Sequence, residues 1–233
     1  MKKIITLLLV LFIINNIFSQ DFSRVIELQS NRMTGPDIVQ LQTQLKYLGF
    51  TEIGEIDGYY GPLTKNAIDK IQYFLGFDLD SKVDKKLWDF LFDQMNFEIL
   101  KSVSIVSKYD MNKLRKEKDN RMGYSTEGGY VEKYYDDNKI VIIKLRLFGE
   151  MGQVEYYLYF LNIDYFFIIE KDSNYPSNLS DMIKDEKAFL ANTVIKYQNY
   201  LKSNNEIFQI MNGNFVSSDY YLKDLMDIIE NKR

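Results

Sequence analysis

Four glutamates in the second half of the chain, Glu127, Glu132, Glu150 and Glu155, have side chains that could carry hydrolytic chemistry. A glycosidase needs only two carboxylates, one as the proton donor and one as the base or nucleophile. Carboxylates are abundant here, with 33 Asp and Glu in 233 residues, and no spacing singles out a pair. We therefore expect no catalytic residues and no enzymatic activity, with a carboxylate-based glycosidase as the alternative.

The absence of two residue types excludes several other kinds of site. The chain contains no His and no Cys, so thiol nucleophiles and the usual zinc ligand sets are missing. The Ser-x-x-Lys pair of serine–lysine transpeptidases does not occur either. The net charge of −4 does not favour nucleic acid, because phosphate binding needs a basic surface. We expect no metal, no cofactor and no nucleic-acid partner.

Asp57, Tyr59 and Tyr60 are the candidates for ligand binding. They lie in a stretch, 55–64, where an Asp-Gly turn pair leads into a Gly-Pro helix start. A tyrosine offers an apolar ring for a sugar face and a hydroxyl for polar groups. We expect the two tyrosines to supply the ring contact, with one of them packed inward. Asp57 either polarises the ligand edge or satisfies loop amides, and we prefer the second role.

The elements that frame this loop are predicted to be helices, because apolar residues recur there at spacings of three and four. The first helix runs from Pro36 to about Leu48, the second from Pro62 to about Leu75, and a short third one carries Trp88. Short loops between amphipathic helices predict a three-helix bundle over residues 30–95. Buried amides of Gln42 and Gln72 are expected to tie the loops to this bundle.

The run from Gly35 to Phe50, the loop from Ile56 to Thr64 and the position of Trp88 resemble the type 1 peptidoglycan-binding-like domain. The resemblance implies attachment to cell-wall peptidoglycan, often as the targeting module of a wall hydrolase. Two departures fall near the third helix. Asp80-Ser81 replaces an expected Asp-Gly turn, and Leu87 stands where the family usually has Thr.

The second half of the chain changes to strand periodicity. Residues 96–120 are expected to be a linker, with the charged run 113–119 forming a solvated helix face or part of that linker. Residues 121–233 are expected to form an antiparallel β-meander, with a further hairpin turning near Asn192 and a C-terminal helix capped by Ser217-Ser218-Asp219. The fold class is therefore α+β. Gly128-Gly129 and the Gly149–Gly152 turn give this half a weak resemblance to uncharacterised exported bacterial β-domains.

The first residues predict export. Lys2 and Lys3 precede an apolar run from Ile4 to Ile14, which is typical of a signal peptide over residues 1–19. An uncleaved membrane anchor is the alternative, although the run is short for a membrane span. We expect a periplasmic or extracellular protein with no stable membrane insertion after signal removal.

These expectations combine into one functional hypothesis. The protein is an exported, non-catalytic protein that binds peptidoglycan through its N-terminal domain and presents its β-rich module to a protein partner. The alternatives are a carboxylate-based glycosidase of the cell wall and a structural or partner-docking role.

Overall fold

The computed structural model describes residues 21–121, 127–177, 182, 186–203 and 206–218. Helices in the first part are followed by an antiparallel sheet, so the expected α+β class is confirmed. The described residues divide into two compact units, one with residues 21–73 and Phe77–Ser107, the other with Phe74–Gly76 and the described residues from Lys108 onward. The predicted signal peptide and the predicted C-terminal helix beyond Ser218 lie outside the described residues.

The first part contains helices that begin where the sequence favours helix starts. They are α1 (Pro36–Tyr47), α2 (Pro62–Leu75), α3 (Lys85–Phe92) and α4 (Phe97–Val106). Proline occupies the first position of α1 and α2, where its missing N–H costs no hydrogen bond. Asp84 caps α3, because its side chain accepts a hydrogen bond from the Leu87 amide at 2.8 Å. The buried faces of these helices include Ile38, Leu41, Leu45, Ile68, Ile71, Trp88, Leu91, Leu100 and Val103.

Helix α4 corrects the expected linker at residues 96–120. Leu100, Val103 and Val106 are buried and recur at helical spacing, so this segment belongs to the packed interior of the first unit. The described part of that unit therefore has the three α-helices expected within residues 30–95 and a fourth, α4, in the segment expected to be a linker.

The described residues of the second part form an eight-stranded antiparallel meander in which each strand pairs with the next in sequence. Its strands are β1 (Arg115–Arg121), β2 (Gly129–Asp136), β3 (Lys139–Gly149), β4 (Gly152–Phe160), β5 (Tyr165–Asn174), β6 (Val194–Ser203), β7 (Glu206–Met211) and β8 (Asn214–Ser217). One sheet face carries an apolar cluster made of Val131, Ile143, Leu145, Leu158, Phe160, Phe166, Ile168 and Tyr200. Side chains of the opposite parity occupy the other face.

The charged run was wrongly predicted, because it forms the edge strand β1. Its cations lie over tyrosine rings of β2: the Arg115 guanidinium is 3.9 Å from the centre of the Tyr135 ring, and Lys118 Nζ is 3.8 Å from that of Tyr130. Cation–π contacts and cross-strand ion pairs hold the strand. Charges on an edge strand also discourage pairing with another chain.

The hairpin predicted near Asn192 is also wrong. A short helix, α5 (Glu186–Ala191), precedes β6, so the chain changes from helix to strand at that point. The Asn192 side chain donates to the Ala188 carbonyl at 2.8 Å and so finishes the helix.

Candidate functional site

The candidate loop connects α1 to α2 and is closed by its own aspartate. Asp57 Oδ1 accepts a hydrogen bond from the Tyr59 amide at 3.0 Å. Gly58 has φ 71°, in the left-handed region that glycine adopts without strain. A Cβ atom at Gly58 would lie 3.0 Å from Cγ2 of Val39, so the loop backbone also passes close over α1. Both facts explain why the turn pair is Asp-Gly.

Gln42 of α1 fixes this loop from inside. Its buried amide donates to Asp57 Oδ1 at 2.8 Å and to the Tyr59 carbonyl at 3.2 Å, and its Oε1 accepts from the Gly58 amide at 2.9 Å. The hydrogen bond from Gln42, followed by that from the Tyr59 amide, lowers the pKa of Asp57. The predicted tie between Gln42 and the loop is confirmed, and the Asp57 carboxylate is used by the loop itself.

The two neighbouring tyrosines lie in opposite environments. Tyr60 is fully buried, and its hydroxyl donates to the Ser81 carbonyl at 2.7 Å. Burial raises the pKa of this phenol well above its usual range. Tyr60 has no surface to offer a ligand in this conformation, which corrects its predicted role as a contact. Tyr59 is 49% exposed and is the aromatic side chain that the loop displays.

Exposed apolar side chains and a cation accompany Tyr59. We call this set the Tyr59 surface; its members are Arg32, Val39, Ile56, Tyr59 and Leu63, all exposed. Arg32 Nη1 lies 3.8 Å from the position that a Cβ of Gly61 would take, so the guanidinium borders the loop. An exposed aromatic ring suits the face of a sugar, and an exposed guanidinium suits a carboxylate. No sequence pattern points to Arg32, because it lies before α1 and outside any motif.

A second loop repeats the geometry of the first. Gln72 of α2 donates to Asp80 Oδ1 at 3.0 Å and to the Lys82 carbonyl at 2.9 Å, and it accepts from the Ser81 amide at 3.0 Å. Ser81 has φ 63° where the first loop has Gly58. The Asp80-Ser81 departure therefore changes the residue without changing the turn. The predicted tie through Gln72 is confirmed as well.

The carboxylates of the alternative glycosidase hypothesis lie in the second unit. Glu127 and Glu150 are exposed, whereas Glu132 and Glu155 are buried. Despite the opposing effect of burial, Lys144 and Arg146 lower the pKa of Glu155 to about 2. Lys116 and the Tyr134 hydroxyl likewise lower the pKa of Glu132 against its burial. A glycosidase proton donor needs a raised pKa, whereas the pKa values of both buried glutamates are lowered.

No group of three or more Asp or Glu side chains within the described ranges is placed to hold a metal ion. No helix in the described part of the chain is long and apolar enough to cross a membrane.

The first unit thus presents a glutamine-anchored loop that displays one tyrosine. Residues 34–91 match the family described as "Putative peptidoglycan binding domain", which confirms the resemblance expected for this part of the chain. A "Spore cortex-lytic enzyme" of Oceanobacillus iheyensis is 36% identical over 64 residues, which cover 28% of this chain and 23% of that enzyme. The chain therefore spans under a quarter of that relative. No solved structure matches the chain.

Proposed function

We propose that this is an exported, non-catalytic protein that binds cell-wall peptidoglycan through its first unit, with Tyr59 as the main contact. One observation supports this proposal above the others. The family match at residues 34–91 includes a loop in which Tyr59 is exposed and Tyr60 is buried, and Gln42 fixes the backbone of this loop. The β-rich second unit is then free to meet a further partner. Export is our inference from the signal-like residues 1–19, and it would bring the protein to the wall, where such a ligand lies.

Within this proposal the loop residues have different roles. Tyr59 stacks on a sugar ring of the glycan, and the exposed Arg32 binds a carboxylate of the ligand. Asp57 and Tyr60 are positioning residues: Asp57 closes the turn, and Tyr60 anchors it through Ser81. A loop held in its bound shape loses little conformational entropy on binding.

Sedimentation with purified peptidoglycan sacculi tests the proposal. Tyr59→Ala should weaken binding by about 1–2 kcal/mol, the scale of one aromatic contact with its hydrogen bond. Tyr47→Ala is the matched control, because Tyr47 is a tyrosine of the same unit that is 71% exposed and lies outside the loop. Thermal unfolding of both variants separates lost contact from lost structure. Failure of the intact protein to sediment with sacculi from its own host would refute wall binding.

Lytic activity is the second candidate, and the name of the curated relative favours it. The pKa values of Glu132 and Glu155 are lowered, which opposes a role for either as proton donor. Zymography on gels containing peptidoglycan decides between the two candidates: a cleared band from the wild type would refute the non-catalytic proposal. Survival of that band in Glu155→Gln would assign lysis to other carboxylates.

A further inference from the structure

A cluster of cations surrounds one buried carboxylate on the sheet face opposite the apolar cluster. Arg146 of β3, Glu155 of β4 and Lys171 of β5 are directly opposite one another in adjacent strands, so their side chains share one face. Lys144 lies two residues before Arg146 and therefore projects from the same face. We call Lys144, Arg146, Glu155 and Lys171 the Glu155 cluster.

All three cations of the cluster contact the same carboxylate. Lys144 Nζ is 2.9 Å from Glu155 Oε1, Arg146 Nε is 2.8 Å from the same oxygen, and Lys171 Nζ is 3.3 Å from Oε2. The Tyr157 hydroxyl also donates to Oε1, at 3.2 Å. Within this cluster of described residues, three positive charges against one negative charge leave a surplus of two.

Neighbouring strands add to this surplus. Lys116 and Lys118 of β1 share the face with Glu132 of β2, and Lys116 Nζ is 3.1 Å from Glu132 Oε1. Two further cations thus meet one further carboxylate. The face carries this positive charge in a chain whose net charge is −4.

Two of the three cations keep part of their side chains open to solvent, while Lys144 is 13% exposed. The side chains of Arg146 and Lys171 are 27% and 25% exposed, whereas that of Glu155 is 1% exposed. Glu155 thus serves as a covered centre that holds the cations in place. A partly desolvated surplus of positive charge is costly and favours an anion that approaches from the open side.

We infer that the Glu155 cluster is an anion-binding site and that its ligand is a carboxylate-bearing polymer. Arg146 uses Nε and Nη2 to bind Glu155 Oε1 and keeps Nη1 for an incoming carboxylate, and Lys171 supplies a second charge across Glu155. In the wall the ligand is the carboxylates of the peptidoglycan peptide stems, an assignment that rests on the proposed function. The second unit then binds the same polymer as the first, and two linked weak sites bind more tightly than either alone.

Binding of fluorescently labelled poly-L-glutamate to the full-length protein, followed by anisotropy at low salt, tests the site directly. Arg146→Gln with Lys171→Gln removes both exposed cations and leaves Lys144 beside Glu155. We expect this double variant to bind about tenfold more weakly or worse, as for a loss of charge-assisted contacts. The matched control is Lys113→Gln with Lys139→Gln, which makes the same change in net charge at exposed positions and should bind as the wild type does.

Further measurements keep the outcome clear. Lys171→Gln alone removes only the 3.3 Å contact between Lys171 Nζ and Glu155 Oε2, and we expect it to weaken binding of poly-L-glutamate. This single variant provides the test if the double variant does not fold. Any of three results would overturn the inference. The wild-type protein does not bind poly-L-glutamate, the control double variant binds it as weakly as the cluster variant does, or polyphosphate of equal charge binds more tightly. Tyr59→Ala should leave poly-L-glutamate binding unchanged. Binding of poly-L-glutamate without sedimentation on sacculi would therefore refute the proposed function alone, while the reverse result would refute this site alone.

Discussion

Gln42 and Gln72 offer a matched pair of substitutions that separates stability from binding. Each buried amide accepts from one loop amide and donates to an aspartate and to a main-chain carbonyl, with distances between 2.8 and 3.2 Å. Only the Gln42 loop displays Tyr59. Methionine has nearly the same length as glutamine and cannot make these hydrogen bonds, so Gln42→Met and Gln72→Met remove the same chemistry from two loops.

The expected loss of stability follows from the groups left unpaired. Each substitution leaves one loop N–H, that of Gly58 or of Ser81, without its hydrogen-bond acceptor. Such a loss costs about 1–3 kcal/mol where water cannot replace the acceptor. Asp57 and its counterpart Asp80 can turn to solvent and so add less. We expect both variants to lose about 2–3 kcal/mol in the free energy of unfolding.

Binding should distinguish the two variants. With Gln42→Met the Tyr59 loop is no longer fixed, so sedimentation with sacculi should fall to the level of Tyr59→Ala. With Gln72→Met it should stay near that of the wild type at temperatures where both variants are folded. Denaturant unfolding and sacculus sedimentation of the same samples provide the test. Equal loss of binding in both variants, or full binding by Gln42→Met, would refute the claim that the Gln42 loop is the site.

Three further predictions concern the loops and the buried charge. Ser81→Gly should stabilise the protein by about 0.5–1 kcal/mol because Ser81 has φ 63°, and Gly58→Ser should cost about 1–2 kcal/mol; denaturant midpoints that move in the same direction would contradict this. Tyr60→Phe should lower the free energy of unfolding by about 1 kcal/mol, because the hydrogen bond to the Ser81 carbonyl is lost, and should leave sedimentation with sacculi unchanged. Weaker sedimentation of this variant would show that Tyr60 contacts the ligand. Glu155 has its pKa lowered from 4.5 to about 2 on folding, so its contribution is present above pH 4.5 and lost as the pH falls towards 2. Unfolding of the wild type should therefore show a larger acid-induced loss over this range than unfolding of Glu155→Gln, and parallel curves would count against the ion cluster.

The first unit could be predicted because its signals are local. Apolar spacing in α1 and α2, the Pro helix starts and the Asp57-Gly58 turn all depend on residues close in sequence. The division between Tyr59 and Tyr60 could not be predicted, since either ring could have packed inward. What decides it is the carbonyl of Ser81, which belongs to another loop and accepts the Tyr60 hydroxyl.

The second unit was harder to predict because its cations depend on distant partners. As a sequence, the run 113–119 is typical of a solvated segment. In the structure most of this run forms β1, and its cations contact Tyr130, Glu132 and Tyr135 of β2. No local sequence pattern connects those residues to the run. The Glu155 cluster likewise needs the register of three strands before its cations can be seen to share one face.

The order of the two tyrosines explains how a small loop can display a ring rigidly. Successive side chains of an extended segment point in opposite directions, so burying Tyr60 turns Tyr59 outward. The Tyr60 hydroxyl anchors one end of the segment to Ser81, and Gln42 holds the Gly58 amide at the other. The exposed ring therefore stands on a backbone that is fixed on both sides, although no part of Tyr59 itself needs to be buried deeply. A loop built this way loses little entropy when a ligand arrives, and this is why a single exposed ring can make a useful contact.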